Sequence, residues 1–98
     1  MAGDELKIER EDNDSKGRYV YRASGNEAEM TFSKAGVHQI IIDHTEVPEA
    51  FRGQGIGLRL VERAVADARS EGKTIIPLCP FAAAQFRRHP EWADVLKK

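Results

Sequence analysis

A glycine-dense segment near the middle of the chain has the composition of a phosphate-binding turn. Residues 51–57 read FRGQGIG and directly precede a stretch with helical spacing, which puts the turn at a helix N-terminus. The first backbone N–H groups of a helix have no intrahelical partner, and the helix dipole adds about half a positive charge there. Glycine lets the backbone approach a bulky anion, and the guanidinium of Arg52 can pair with its oxygens. The segment therefore predicts a site suited to a pyrophosphate.

Two other phosphate-binding motifs are excluded by spacing. A dinucleotide fingerprint built on these glycines needs glycine at position 58 or 60, where the chain has Leu58 and Leu60. The tripeptide from Gly72 to Thr74 matches the end of a P-loop, but the first glycine of that motif would fall at Asp67. That tripeptide also ends a helical stretch, whereas a P-loop begins one.

The spacing of Arg52, Gly55 and Gly57 resembles the acetyl-CoA signature of GCN5-related N-acetyltransferases, which is Arg or Gln, two residues, Gly, one residue, then Gly or Ala. The setting is similar too, because a strand, a long helix and a parallel strand reproduce the family's central unit over Val37 to Cys79. More narrowly, the chain resembles a small, truncated subfamily through HTEV at 44–47, GQGIG at 53–57, CPF at 79–81 and RHPE at 88–91.

The resemblance implies acetyl-CoA or CoA as the cofactor. The pyrophosphate would be held at the glycine turn by Arg52, Gly53 and the backbone N–H groups of five residues, namely Gln54, Gly55, Ile56, Gly57 and Leu58. Pantetheine would run between two parallel strands that separate, where backbone groups near Glu46 and Val47 bond its amides. The partner that the family implies is an amine acceptor, either a small molecule or a protein lysine.

Three side chains are candidates for catalysis of acetyl transfer. A lysine amine has a pKa of about 10.4 and must lose a proton before it attacks, so a base or a water chain should help. His44 and Glu46 end the fourth strand and share one face if the alternation is regular, and imidazole titrates nearest to neutral pH. Cys79 ends the fifth strand and could protonate the departing thiolate or accept the acetyl group covalently. The family's usual acid, a tyrosine in the next helix, is replaced by Phe81 and Phe86.

Each of these residues also has a purely structural interpretation. The glycine segment could be an ordinary tight turn, Cys79 a small buried hydrophobe, and His44 or Glu46 a strand residue bonded to its neighbours. The chain's histidines and Cys79 have no recognisable metal-ligand spacing, so no metal site is predicted.

The pattern of apolar residues predicts the elements that position these groups. Alternation predicts strands at Leu6–Glu9, Tyr19–Tyr21 and Ala28–Ser33, with a turn over Glu11–Gly17. An apolar centre predicts a longer strand at Val37–Val47, in the middle of the sheet. A helical period over Gly55–Glu71 buries Gly57, Val61, Ala64, Val65 and Ala68, and Gly72 caps that helix. A strand over Lys73–Cys79, a helix over Phe81–His89 and a final turn or two over Pro90–Leu96 follow. The order is ββββαβα, an α/β (α+β) fold with a mixed, mostly antiparallel sheet of about five strands and a parallel crossover.

Length and composition narrow the class of protein. The 98 residues predict a single minimal N-acetyltransferase-like domain over 1–98, and a net charge of -1 gives no reason to expect nucleic acid or membrane as a partner. One cysteine fits a reducing compartment, and Met1–Glu5 lack the basic and apolar regions of a secretion signal, so a cytoplasmic protein is expected. A monomer is expected, and an exposed edge strand leaves a dimer open.

Function therefore has one leading hypothesis and one alternative. The leading hypothesis is an acetyl-CoA-binding N-acetyltransferase-like protein that acts on an amine. The alternative is a non-catalytic CoA-binding or interaction module, because the chain has no room for the family's usual acceptor-binding lobes and lacks the tyrosine. A nucleic-acid binder is a weaker third hypothesis, since no basic stripe with interleaved aromatic residues is present.

Overall fold

The structure, a computed structural model, describes residues 7–97. The predicted strand residue Leu6 and the Met1–Glu5 segment lie outside the described residues. Within the described range the elements follow the predicted order, ββββαβα. They are β1 Ile8–Asp12, β2 Lys16–Ala23, β3 Asn26–Ala35, β4 Gln39–Glu46, a 3-10 turn Glu49–Phe51, α1 Ile56–Glu71, β5 Thr74–Pro77, α2 Pro80–Arg88 and a C-terminal 3-10 helix Pro90–Val95.

The five strands form one mixed sheet in sequential order. The first four are antiparallel to their neighbours and β5 is parallel to β4, which confirms the predicted sheet and crossover. The first two strands extend into the segment predicted as a turn over Glu11–Gly17. The turn is tighter than expected because the Asn13 side-chain oxygen accepts the N–H groups of Ser15 and Lys16.

The parallel strands are shorter than predicted. β4 begins at Gln39 instead of Val37, which is 76% exposed in the preceding turn. β5 covers Thr74–Pro77 instead of Lys73–Cys79. The regular ladder ends where the Ile42 carbonyl accepts the N–H groups of both Leu78 and Cys79.

The core lies on one face of the sheet, where α1, α2 and the C-terminal 3-10 helix all pack. The predicted buried stripe of α1 is confirmed: it comprises Gly57, Val61, Ala64, Val65 and Ala68. Ile56 and Leu60 are buried as well, since α1 packs on several strands at once and buries a broader face than the stripe predicted.

A polar cluster ties the first two strands to α1. The hydroxyl of the buried Tyr19 donates a 2.8 Å hydrogen bond to Asp67 of α1. Arg63 and Arg10 contact the same carboxylate, and both guanidinium groups lie over the Tyr19 ring. Arg10 also pairs with Glu71 at 2.8 Å.

The opposite face of the sheet, which we call the outer face, carries charged side chains. Arg18 pairs with Glu11, Glu27 and Glu29, and Arg22 pairs with Glu9, Glu11 and Glu27. Val20 lies between them in the strand and is only 1% exposed, so the stems of these long side chains cover it.

The C-terminal segment closes the free edge of β5. Leu96 forms a parallel bridge with Ile75, and the Lys97 N–H donates to the Ile75 carbonyl at 2.9 Å. Trp92 is buried there, edge-on to Phe86. Within residues 7–97, no helix has the length and hydropathy needed to cross a bilayer.

Candidate functional site

The two parallel strands stop pairing in the middle of the sheet. Their ladder covers four residue pairs and ends at Ile42 opposite Pro77. The Ile42 carbonyl then accepts the N–H groups of both Leu78 and Cys79, at 3.1 and 3.0 Å. Beyond that point β4 continues to Glu46, and no β5 residue pairs with it in the described sheet. We call this opening between the carboxyl ends of β4 and β5 the strand gap.

A β-bulge shapes the β4 side of the strand gap. Phe32 pairs with Ile42, but Thr31 pairs with His44, so Asp43 is an extra residue on β4. The two adjacent residues Asp43 and His44 are both exposed, where regular alternation would bury one of them.

The bulge shifts the alternation of β4 by one position. Ile42 is fully buried on the core face, and Thr45, opposite the buried Met30, is the next residue to face the core. His44 and Glu46 consequently project from the outer face. No residue type in the sequence indicates the extra residue. The sequence therefore could not predict which face of the sheet each side chain after Asp43 points to.

His44 and Glu46 are brought together on the outer face. Their Nε2 and Oε1 atoms lie 3.9 Å apart, and the two side chains are 64% and 71% exposed. Glu46 also lies directly opposite Glu29 of β3, whose carboxylate is held by Arg18 at 2.7 Å. Carboxylates facing each other across two strands favour the approach of a cation.

Cys79 is not part of that cluster. It is buried, at 4% exposure, and its thiol donates to the Thr45 hydroxyl at 3.3 Å. Because Thr45 faces the core and His44 faces outward, β4 lies between Cys79 and the other two predicted catalytic residues. The sequence did not indicate Thr45, since the contact between Thr45 and Cys79 depends on the bulge.

The glycine turn leads into α1 in a left-handed backbone conformation that favours glycine. Gly53 and Gly55 have φ angles of +82° and +70°, and a side chain at either position would meet open space. Gly55 is the N-cap of α1, and the first helical bond runs from the Arg59 N–H to its carbonyl. No side chain caps this helix end, and its first turn contains no acidic residue. The N–H groups of Ile56 and Leu58 are thus among those left without helical partners.

Gln54 and Arg52 of the predicted turn have different surroundings. The Gln54 N–H donates to the Phe51 carbonyl at 3.2 Å, so it is engaged inside the turn, and its part in an anion cradle stays a prediction. Arg52 is 80% exposed, with Glu49 3.7 Å away, and its guanidinium is accessible to an anion.

Comparison with known proteins identifies the family. A family model described as GCN5-related N-acetyl-transferase matches residues 18–95. The chain belongs to the GCN5-related N-acetyltransferase family. No curated protein sequence matches it significantly.

Two solved structures are similar to this family member. The NMR solution structure of a GCN5-like protein from Staphylococcus aureus has a TM-score of 0.70 and 29% identity, and the match covers 94% of this chain and 88% of that one. A ribosomal-protein-alanine N-acetyltransferase from Brucella melitensis has a TM-score of 0.64 at 17% identity, with 78% and 62% covered. The second likeness shows the shared fold.

In this GCN5-related N-acetyltransferase, three exposed apolar side chains lie around the strand gap. Val47 follows β4 and is 36% exposed, Leu78 follows β5 and is 66% exposed, and Phe81 in the first turn of α2 is 38% exposed. Phe81 also packs on the helix that follows the glycine turn. A separate depression on the outer face, lined in part by Lys16 and Arg18, lies away from that turn.

Proposed function

We propose that the chain is an acetyl-CoA-dependent N-acetyltransferase whose anion site is the N-terminal turn of α1. The observation that carries the proposal is the open left-handed backbone at Gly53 and Gly55, next to N–H groups that nothing in the described chain caps. A pyrophosphate fits such a turn because backbone donors and the helix dipole both favour negative charge. The first turn of α1 contains no acidic residue that would offset this preference for negative charge.

The strand gap supports a place for the acyl arm. The N–H and C=O groups of β4 between Asp43 and Glu46 that point away from β3 have no β5 partner, so an extended amide chain can bond to them as an added strand does. Val47 and Leu78 add apolar contact to the methylene groups of such an arm.

The outer face supports the entry of a cationic amine. Glu46 and Asp43 supply negative charge there, whereas Glu29 is already paired with Arg18, and His44 lies beside Glu46. In our proposal the ammonium form of the acceptor is attracted to these carboxylates and passes its proton to His44, with Glu46 orienting the imidazole. The acceptor class is a protein lysine or a small amine.

We further propose that residues 1–98 act as one domain, as a monomer, in the cytoplasm. The single cysteine fits a reducing compartment, and β1 is a short, charged edge that discourages strand addition.

A non-catalytic CoA-binding module remains the second candidate, and one observation favours it. The described part of α2 offers Phe81 and Phe86 where the family uses a tyrosine acid. Saturable CoA binding with no acetyl transfer to a broad panel of amines would select this alternative.

The decisive binding experiment compares two substitutions at one position. Both Asn and Asp tolerate a left-handed backbone, so Gly55→Asn and Gly55→Asp should retain the fold and differ only in charge. We expect calorimetry to give a CoA affinity at least tenfold weaker for Gly55→Asp than for Gly55→Asn. In Gly55→Asp, the new carboxylate interacts favourably with the dipole at the helix N-terminus, but it repels the pyrophosphate. Equal affinities in the two folded variants, or no binding by the wild type, would remove the anion site from this turn.

A further inference from the structure

Thr45 and Cys79 form a polar link across the strand gap. The thiol lies 3.3 Å from the Thr45 hydroxyl, just past the point where the Ile42 carbonyl ends the ladder between the two strands. Thr45 reaches this position because the bulge at Asp43 turns it, instead of His44, toward the core face. The link therefore depends on the same irregularity that sends His44 outward.

We propose that Thr45 is a positioning residue that orients and stabilises the Cys79 sulfur for protonation of the thiol leaving group. This inference rests on the proposed acetyl transfer. It assigns the two protons of the reaction to opposite faces of β4: the acceptor's proton to His44 on the outer face, and the leaving group's proton to Cys79 on the core face.

The chemistry balances with the groups named. The proton that His44 takes from the ammonium form of the acceptor passes to solvent before attack. The neutral amine nitrogen then bonds to the acetyl carbon as the carbon–sulfur bond breaks, and one of its remaining protons goes to His44. The departing sulfur takes the proton of the Cys79 thiol, leaving a thiolate. The Thr45 hydroxyl, which accepts from the thiol beforehand, then rotates to donate to the thiolate. The proton on His44 passes to solvent, and solvent returns one to Cys79.

A purely structural role does not require the contact with Thr45. Cys79 lies in the hydrophobic core cluster, where a buried hydrophobe needs no polar partner, yet its thiol has a hydroxyl partner at the end of the paired region. Cys79 is also the N-cap of α2, so its backbone is fixed by the Leu78–Cys79 contacts to Ile42 and by the helix that follows. The Cys79 side chain is held by its hydrogen bond to the Thr45 hydroxyl.

The test uses Thr45→Val, which removes the hydroxyl at nearly constant volume, and Thr45→Ser, which keeps it. Thr74→Val is the matched control, because Thr74 is a half-buried threonine at the other end of the parallel pair. We expect Thr45→Val to lower kcat at least tenfold with unchanged CoA affinity, Thr45→Ser to stay within about threefold of wild type, and Thr74→Val to change little.

Alkylation of the chain's single cysteine by iodoacetamide gives a second readout. Loss of the hydroxyl that stabilises the thiolate should slow alkylation in Thr45→Val at least threefold and leave Thr45→Ser near wild type. Loosened packing would instead expose the thiol and speed the reaction. Faster alkylation, or a kcat loss that Thr45→Ser shares, overturns the positioning role and leaves acetyl transfer standing. A wild type that binds CoA but acetylates no amine overturns both.

Discussion

Phe81 packs against Gly57 so closely that a Cβ at residue 57 would lie 2.7 Å from the ring's Cζ atom. Glycine at this position of the acetyl-CoA signature therefore serves the contact between α1 and α2. It differs in this from Gly53 and Gly55, whose missing side chains face open space. The first turn of α2, which follows Cys79, is thus fixed relative to the proposed anion site.

This contact predicts a change of sign in a double-mutant cycle. Gly57→Ala should destabilise the wild type, because the Phe81 ring must move. In a Phe81→Ala background the same change should stabilise by up to about 1 kcal/mol, since alanine is the better helix former. Urea unfolding of the four proteins measures both steps. A destabilising effect of similar size in both backgrounds would show that Phe81 is not the obstacle.

The Tyr19–Asp67 hydrogen bond predicts loss of stability at alkaline pH. Burial, followed by the hydrogen bond to Asp67, raises the pKa of Tyr19 above its ordinary value of about 10. The unfolded chain therefore loses this proton first, so the free energy of unfolding should fall above about pH 10, by at most about 1.4 kcal/mol per pH unit from this group. Tyr19→Phe should be less stable at pH 7 by about 1 to 2 kcal/mol and show a shallower alkaline decline in chemical denaturation.

The ion pair between Arg10 and Glu71 predicts an effect at acid pH. The hydrogen bond from Arg10 lowers the pKa of Glu71, so this stabilisation is present above the unfolded value near 4.3 and lost as the pH falls below it. Glu71→Gln should cost less than about 1 kcal/mol at pH 7 and nothing at pH 2, because the carboxylate is partly solvated. Glu62→Gln, which breaks a longer 3.6 Å pair on the same helix, is the control and should change stability less.

The exposed pair of His44 and Glu46 predicts separate effects on catalysis and binding. His44→Ala should lower kcat about 100-fold or more, and Glu46→Gln less, while calorimetry gives unchanged CoA affinity for both. The two side chains make no core contact, so thermal unfolding should stay close to wild type. Loss of CoA binding in either variant would mean that the pair belongs to the anion site and is not the base.

Most of the fold could be predicted because local signals and packing agree. The apolar period of α1 and the glycines that bound it indicated the helix, and Ala28, Met30 and Phe32 alternate cleanly in β3. Strand ends were less predictable, since their limits depend on which carbonyl accepts a hydrogen bond. Leu78 and Cys79, predicted as strand residues, both donate to Ile42 after the ladder has ended.

The candidate site was predictable as a set of residues but not as an arrangement. The glycine turn follows from composition, because the left-handed backbone at Gly53 and Gly55 favours glycine. The separation of Cys79 from His44 follows from one unpaired residue, Asp43, in a pairing that only the tertiary structure defines. The engagement of the Gln54 N–H within the turn is equally local geometry that composition does not specify.

The closure of the β5 edge by Leu96 and Lys97 has a consequence for biosynthesis. β5 leaves the ribosome before these residues do, so a nascent chain that has already exposed the strand gap still presents the Ile75 carbonyl to water. Trp92 is likewise missing from the core of that nascent chain. The sheet edge and the core are therefore completed only after residues 92–97 have left the ribosome and docked.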